Sequence, residues 1–401
     1  MFPLVKADYV RTRLTHSLET SSIGRSLGTA TGAFLCENFD LGGIQPSDIG
    51  AIVASACLAH DIGNPPLGHA GEEAIRHWFT HSDIAAEMRG NMREDEAADI
   101  EFFEGNAQGF RVLTRLEMPD QRGGMQLSCA TLAAFAKYPS ASRVPRRPTG
   151  VAGKKFNFFR SEAELFREVA EHTGMISAGE WAWQRHPLAY LVEAADDIAY
   201  RIVDFEDGQR LGLVDYSELE RLFLEVIDSD HSAEYVRTIK NPIRKTEFLR
   251  AQVIGKLVGY AVEVFIAHLD ELLAGTLEKP LLAYVPCQEQ LKYIQERSTN
   301  DIYNHRKVAE IVGAGFELVS GMLDIFVPCV NEMAREKNGG KGASYRSHRL
   351  FRLLPEAEAH LADAVWSANP YIRLLTVLDY VSGMTDSYAV ELYQKLKGIS
   401  L

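Results

Sequence analysis

The chain has 401 residues, 46% of them hydrophobic and 24% charged, the profile of an ordinary globular protein rather than a disordered or fibrous one. No apolar run approaches the ~18–20 residues that span a bilayer. The start, Met1 to Asp8, lacks the basic head and apolar stretch of a secretory leader, so a cytoplasmic protein without membrane contact is expected. The formal net charge of −13 leaves polyanion binding only to places where charge is locally reversed. Two stretches qualify: Arg143, Arg146, Arg147, Lys154 and Lys155, and Lys337, Lys341, Arg346, Arg349 and Arg352. The five cysteines (Cys36, Cys57, Cys129, Cys287, Cys329) are odd in number and show no CxxC spacing, which predicts reduced, mostly buried thiols and no thiolate zinc site.

Helical periodicity dominates the chain. Val10, Leu14, Leu18, Leu27 and Phe34–Leu35 recur at helix spacing over 8–38. Pro46-Ser47-Asp48 starts a second helix that runs through Ile49 to Ala59 and ends before Asn64-Pro65-Pro66. A third begins near His69 and reaches towards Phe79. Residues 80–104 are polar and acid-rich, and 105–118 turn helical again. The stretch from Pro139 to Lys155, with Pro145, Pro148, Gly150 and Gly153, reads as a loop, and Phe156, Phe158 and Phe159 mark a place for a short hairpin around 145–160. Helices are expected at 161–173 and 187–206, and over long parts of 215–278, 288–335 and 355–396. The class is all-α.

Four segments carry chemistry. The first is Arg13-Leu14-Thr15-His16-Ser17. In the second, His60 and Asp61 close a strongly apolar helix, where an unpaired carboxylate is costly both through burial and through the helix dipole. A divalent cation held by both residues would relieve both costs, and imidazole plus carboxylate suits Mg, Mn, Fe, Ni or Zn without choosing among them. Gly63-Asn64-Pro65-Pro66-Leu67-Gly68 then turns the chain so that His69 and Glu72 emerge at i, i+3 on the next helix. A His-Asp pair alone is a weak signal; the turn and the second histidine are independent additions to it. The third segment is Glu104-Gly105-Asn106-Ala107-Gln108-Gly109-Phe110-Arg111. In the fourth, Asp196, Tyr200 and Asp204 share one helix face, among the small residues Ala194, Ala195 and Ala199, while Asp197 points about 100° away.

Together these segments, with Tyr190 to Tyr200 and Asp379-Tyr380-Val381-Ser382-Gly383-Met384-Thr385-Asp386, resemble the HD superfamily of metal phosphohydrolases and within it the dGTPase-like dNTP triphosphohydrolases, over nearly the whole chain. The resemblance implies an HD-domain helical bundle with additional C-terminal helices: a catalytic core over 1–210 and a helical region over 211–401 packed on it as one unit. It implies His16, His60, Asp61 and Asp196 as ligands of a divalent metal, and His69 with Glu72 as the catalytic pair. Arg13 and Asn106 would lie near the phosphates, Tyr200 and Asp204 near the deoxyribose. The implied reaction converts a dNTP, dGTP foremost, to the deoxynucleoside and inorganic triphosphate, with His69 acting as acid towards the leaving oxygen or as base towards water. A homo-oligomer is implied, and the basic stretches are where a single-stranded DNA or nucleotide effector would bind.

Two departures stand out. Relatives usually carry an Arg-rich segment ahead of the Phe2-Pro3-Leu4 region, where this chain starts, which bears on base selectivity. Some relatives also have a basic residue after the fourth metal ligand, where Asp197 stands. The rival functions are an HD nucleotidase or phosphodiesterase that uses the same metal site, and a non-catalytic nucleotide-binding regulator.

Overall fold

A computed structural model describes residues 12–304, 306–354 and 366–399. Helix α1 (Arg13–Asn38) begins at a capping box in which Thr12 and Thr15 satisfy each other's backbone N–H groups. Helix α2 (Pro46–Ala59) starts on a proline, whose missing N–H costs nothing in a first turn. The two cross closely because Gly24, Gly28 and Gly32 form a smooth stripe along α1. A Cβ on Gly28 would sit 2.8 Å from the Ile49 carbonyl and 2.9 Å from the Gly50 Cα. This contact sets the start of α1, with His16, beside the end of α2, with His60.

Helix α3 (His69–His81) follows the turn, and then two short helices, α4 (Asp83–Arg89) and α5 (Glu94–Glu101), occupy the polar stretch that carries no clear helical period. Helix α6 (Gly105–Arg111) runs on into a π-turn over Val112–Leu116; α7 (Cys129–Phe135) and α8 (Ala163–His172) flank the long loop between them. The hairpin expected around 145–160 is not there. The antiparallel pair is β1 (Ser177–Gly179) with β2 (Ala182–Trp183), and Phe158 makes only an isolated bridge to Ala141. The phenylalanines of that stretch are apolar because they fill the cores: Phe158 stacks on Phe166 at 4.3 Å, and Phe156 and Phe159 are buried in a second cluster.

Helix α9 (Pro187–Arg210) is the spine of the first core, which draws on residues from Ile23 to Ile302. Around it pack α10 (Tyr216–Ile227), α11 (Asp230–Thr238), α12 (Pro242–Ala267), α13 (Leu269–Leu273) and α14 (Gln288–Arg297). The second core is made by α3 to α5 together with α15 (Arg306–Lys337), α16 (Tyr345–Phe351), α17 (Pro370–Ser382) and α18 (Asp386–Leu396). Within α15, residues 309–337 are long and apolar enough to cross a bilayer, contrary to the expectation of no such run. Half of that apolar window is buried, and the helix packs on α3 and α17 as a core element. All five cysteines are free, with Cys57, Cys287 and Cys329 buried.

The two cores are riveted by a buried ion network. Arg111 donates two hydrogen bonds of 2.8 Å to Asp379 on α17 and one of 2.6 Å to Glu162. Gln108 adds a third donor to Asp379 at 2.9 Å. Burial works against the Arg111 cation, but the two carboxylates hold it charged, with its pKa raised.

Candidate metal centre and catalytic dyad

Three of the expected ligands converge. Asp196 Oδ1 lies 3.3 Å from His16 Nε2 and 3.4 Å from His60 Nε2, and one ligand atom from each of the three residues falls within 4.8 Å of the others. Donors that share one ion through bonds of about 2.0–2.2 Å sit about 3–3.5 Å apart, so the spacing suits a common cation. The tautomer suits one too. His60 Nδ1 donates to the Cys57 carbonyl at 2.6 Å, which leaves an Nε2 lone pair facing the Asp196 carboxylate, an arrangement that a cation between them resolves.

Burial alone would raise the Asp196 carboxyl; the electrostatic influence of His60, the His16 hydrogen bond and the more distant Lys137 outweigh it and hold the group well below the ordinary carboxylate range. Asp61 stands at the edge of the cluster. Its Oδ1 is 3.6 Å from His60 Nε2 and accepts from Asn64 Nδ2 at 2.6 Å, but it is not one of the three mutually close ligands.

The turn from Gly63 to Gly68 carries the chain from this cluster to the dyad. Leu67 has φ +65° and Gly68 φ +60°, left-handed conformations that a leucine adopts only when held there. Two residues hold it. Arg13 Nη1 donates to the Asn64 carbonyl and Nη2 to the Pro65 carbonyl, each at 3.1 Å. Asp386, at the start of α18, accepts the Leu67 N–H at 2.8 Å. The structure thus places Arg13, expected beside phosphates, on the carbonyls of this turn. Gly63 backs the turn against α6: a Cβ there would lie 2.0 Å from the Gly109 nitrogen and 2.3 Å from the Gly105 carbonyl, both backbone. Gly63→Ala is therefore expected to cost at least the upper part of the roughly 1–3 kcal/mol typical of overpacking. A urea titration of the purified variant checks this, and wild-type stability would contradict it.

His69 and Glu72 pair at the head of α3. His69 Nδ1 donates to Glu72 Oε2 at 3.0 Å, and the imidazole is 84% exposed. Glu72 is buried, and its other oxygen accepts the Gly105 N–H at 2.7 Å. The hydrogen bond to Glu72 outweighs the desolvation of His69 and raises its pKa. The Glu72 carboxyl, which burial would raise, is lowered by that same bond and by Lys155.

Asn106, also expected near phosphates, donates to Glu104 Oε1 at 2.7 Å. On α9, Asp204 is buried two turns beyond Asp196, and Tyr200, between them, is 39% exposed. Asp197 pairs with Arg201 at 3.2 Å, yet burial pushes its carboxyl up to about 6.

Several residues here escaped the sequence reading as site residues: Arg76, Glu104, Asp386 and Lys137. Lys137 Nζ lies 3.4 Å from Glu193, one turn before Asp196. Lys155 stood out only as one of a basic run. Arg76 is linked to the dyad by its i, i+4 spacing from Glu72 on α3, whereas no local spacing links the others to the histidines.

Residues 13–102 match the model of the HD domain, and residues 341–395 match that of the phosphohydrolase-associated domain. The fold and site therefore define an HD-domain phosphohydrolase. Among curated relatives, a deoxyguanosinetriphosphate triphosphohydrolase-like protein of Synechocystis is 40% identical over all of this chain and 89% of its own length. One from Pseudomonas aeruginosa is 39% identical over 99% and 88%. A protein of Salmonella arizonae named deoxyguanosinetriphosphate triphosphohydrolase is 30% identical over 100% and 89%. The chain belongs to the deoxyguanosinetriphosphate triphosphohydrolase-like family.

Proposed function

We propose that this protein hydrolyses dNTPs, with dGTP the first candidate, to the deoxynucleoside and inorganic triphosphate. The observation that carries the reading is the juxtaposition of a two-histidine, one-carboxylate cluster with a carboxylate-backed histidine across a single braced turn. The names borne by the relatives supply the substrate class.

In this reading His16, His60 and Asp196, with Asp61 at the rim, hold a divalent ion. Such an ion polarises a phosphoryl oxygen and lowers the pKa of water. His69 handles the proton of the reaction through its exposed Nε2, with Glu72 fixing the tautomer and the ring. Arg13 sets the turn and turns its partly exposed edge to the phosphates. Asn106 also serves the phosphate side. Tyr200 and Asp204 take the deoxyribose side, the acid accepting from the 3′-hydroxyl. The protein works as a cytoplasmic homo-oligomer, with a single-stranded DNA or nucleotide effector on the basic stretches.

The test is product analysis with each dNTP and Mg or Mn. Inorganic triphosphate plus deoxynucleoside, absent in His60→Ala, supports the reading. Monophosphate or pyrophosphate would assign another HD nucleotide hydrolase. No turnover, even with mixed dNTPs and single-stranded DNA, would assign a binding protein.

The dyad yields a separate expectation. Glu72 raises the pKa of His69, so Glu72→Gln should move the His69 limb of the pH–rate profile to lower pH. If His69 is the acid, activity in the variant is lost earlier as pH rises; if the base, activity appears earlier. His69→Ala should cost roughly 10²–10⁴-fold in kcat. An unmoved limb in Glu72→Gln would show that the pair does not act as a unit.

A further inference from the structure

A cavity of about 850 Å³ opens beside α4, α15 and the start of α17, and no residue that lines it belongs to the metal cluster or the dyad. One wall is a face of α15, where Asn331, Arg335 and Asn338 stand at i, i+4 and i+7. Arg93 and Glu96, at the head of α5, make a second wall. Arg373 on α17, with the cap residue Asn369, makes the third. The volume lies towards the upper end of the roughly 300–1,000 Å³ of small-molecule sites.

The three arginines are not equivalent. Arg93 is committed to Asp95, which it meets through Nε at 3.0 Å and Nη2 at 3.1 Å. Arg373 is held in place but unpaired. Its Nε donates to Asn331 Oδ1 at 3.0 Å, and its Nη1 to the carbonyls of Ser367 and Ala368 at 2.6 and 3.0 Å. These partners are all neutral, and Nη2 has no hydrogen bond among the described residues. Burial accordingly pulls the guanidinium below its usual pKa. Such a cation is costly until a ligand supplies its counter-ion. Arg335 likewise has no ion-pair partner among the described residues. Glu332, which feels its charge, already accepts from the Ser344 N–H at 2.9 Å and the Ser347 hydroxyl at 2.8 Å.

The acids of the lining limit how much negative charge the cavity accepts. Glu96 is buried and takes the Arg93 N–H at 3.0 Å and Asn369 Nδ2 at 3.1 Å, while Glu87 is exposed. Three arginines against two glutamates leave the described lining at +1. A phosphate monoester, at about −1.5 to −2 near neutral pH, suits that excess. A triphosphate would carry its further charges against Glu87 and Glu96. Guanidinium forks match phosphate oxygens, and the N-terminal end of α17 adds a favourable dipole. A bare phosphate ion would fill a small part of the space. Asn91 and Asn338 offer polar contacts to a larger body, and Met88, Ala334 and Pro370 offer apolar ones.

We propose that this cavity is a second ligand site, for a phosphate monoester of nucleotide size, with Arg335 and Arg373 holding the phosphate. It is separate from the site of turnover and does not depend on the triphosphohydrolase reading. Its occupant bridges α5, α15 and α17. Tyr371, two residues before Arg373, already donates to Asp99 of α5 at 2.6 Å, and Asp379 lies further along the same α17, so the ligand clasps the helix that reaches Arg111.

The test is titration calorimetry of the full chain with each of the four ribonucleoside monophosphates and with inorganic phosphate, Mg²⁺ present throughout. At least one monophosphate should bind, and more tightly than inorganic phosphate. Arg335→Ala should weaken that binding about tenfold or more, the loss expected of a charge-assisted hydrogen bond, and Arg335→Glu should weaken it further. Arg373→Lys, which keeps the charge without the fork, should weaken it less than Arg373→Met. If Arg373→Met does not fold, the exposed Arg335 carries the test by itself.

Asp196→Asn separates this site from the metal cluster. It should bind the monophosphate as wild type does, and a loss there would put the nucleotide in the catalytic site and overturn the proposal. Undiminished affinity in Arg335→Glu would overturn it too, as would the failure of all four monophosphates to bind. Inorganic phosphate bound as tightly as any monophosphate would overturn the assignment of a nucleotide-sized ligand.

Discussion

Replacing Asp196 by asparagine should abolish divalent-metal binding and dNTP turnover without unfolding the protein. Asp196 Oδ1 is the atom on which His16 and His60 both converge, and it contributes the only carboxylate of the three-residue cluster. Asparagine keeps the shape and one acceptor oxygen but removes the charge that makes the cluster a cation site. The native carboxyl titrates below its unfolded value, so its contribution to stability is present above the ordinary carboxylate range and lost only as pH falls into strong acid. At neutral pH the native group is therefore an anion, and the substitution changes the charge of the site there.

The readout is thermal unfolding with and without Mn²⁺. A ligand at about 100 times its Kd stabilises a fold by about 2.7 kcal/mol. Wild type should gain that increment and Asp196→Asn none of it, each measured against its own melt in chelator. A metal-dependent gain in Asp196→Asn would place the ion elsewhere. Asp61→Asn tests the rim of the cluster: a partial loss of the increment is expected, because Asp61 lies outside the tight triad.

Much of the helical frame was legible in the residues. Pro46 and the His60-Asp61 pair bound α2 at the ends the structure gives it, and the Asn64-Pro65-Pro66 turn lies between α2 and α3 as expected. The short helices were not legible, because α4, α5 and α7 have seven or eight residues, too few for an apolar period to emerge. The hairpin was misplaced because three phenylalanines were read as strand when burial in the cores accounts for them.

The site divides in the same way. His60, Asp61, His69 and Glu72 lie within thirteen residues, and turn chemistry relates them. His16 and Asp196 are 180 positions apart, so only likeness to a family could join them before the fold did. The Lys155–Glu104 pair and the Leu67–Asp386 bond, 51 and 319 positions apart, leave no local trace at all.

Asp379→Ala should be the most destabilising single change in the C-terminal region, and it should disable the site from a distance. Asp379 receives three hydrogen bonds from Arg111 and Gln108, and both members of the Arg111–Asp379 pair are 6% exposed at the side chain. Removing one partner of such a pair leaves a buried charge partly uncompensated, at a cost of about 3–5 kcal/mol. Glu162 stays on Arg111 and keeps the cost towards the lower end.

Asp379→Asn, which preserves an acceptor, should cost less. Replacing Arg111 by methionine together with Asp379→Leu should not recover the loss, since buried Glu162 would then keep only the more distant Arg115 as a cationic partner. Chemical denaturation measures all three, and an Asp379→Ala variant as stable as wild type would refute the argument.

The functional consequence follows from position. Seven residues after Asp379, Asp386 accepts the N–H of Leu67 and so helps to hold the left-handed turn between the metal cluster and His69. A loosened α17 should release that turn. Asp386→Ala, which leaves the Arg111 network intact, should therefore lower kcat with little loss of global stability, whereas Asp379→Ala should lower both. If Asp386→Ala keeps full activity, Arg13 alone suffices to hold the turn, and the phosphohydrolase-associated segment serves the site only as a wall.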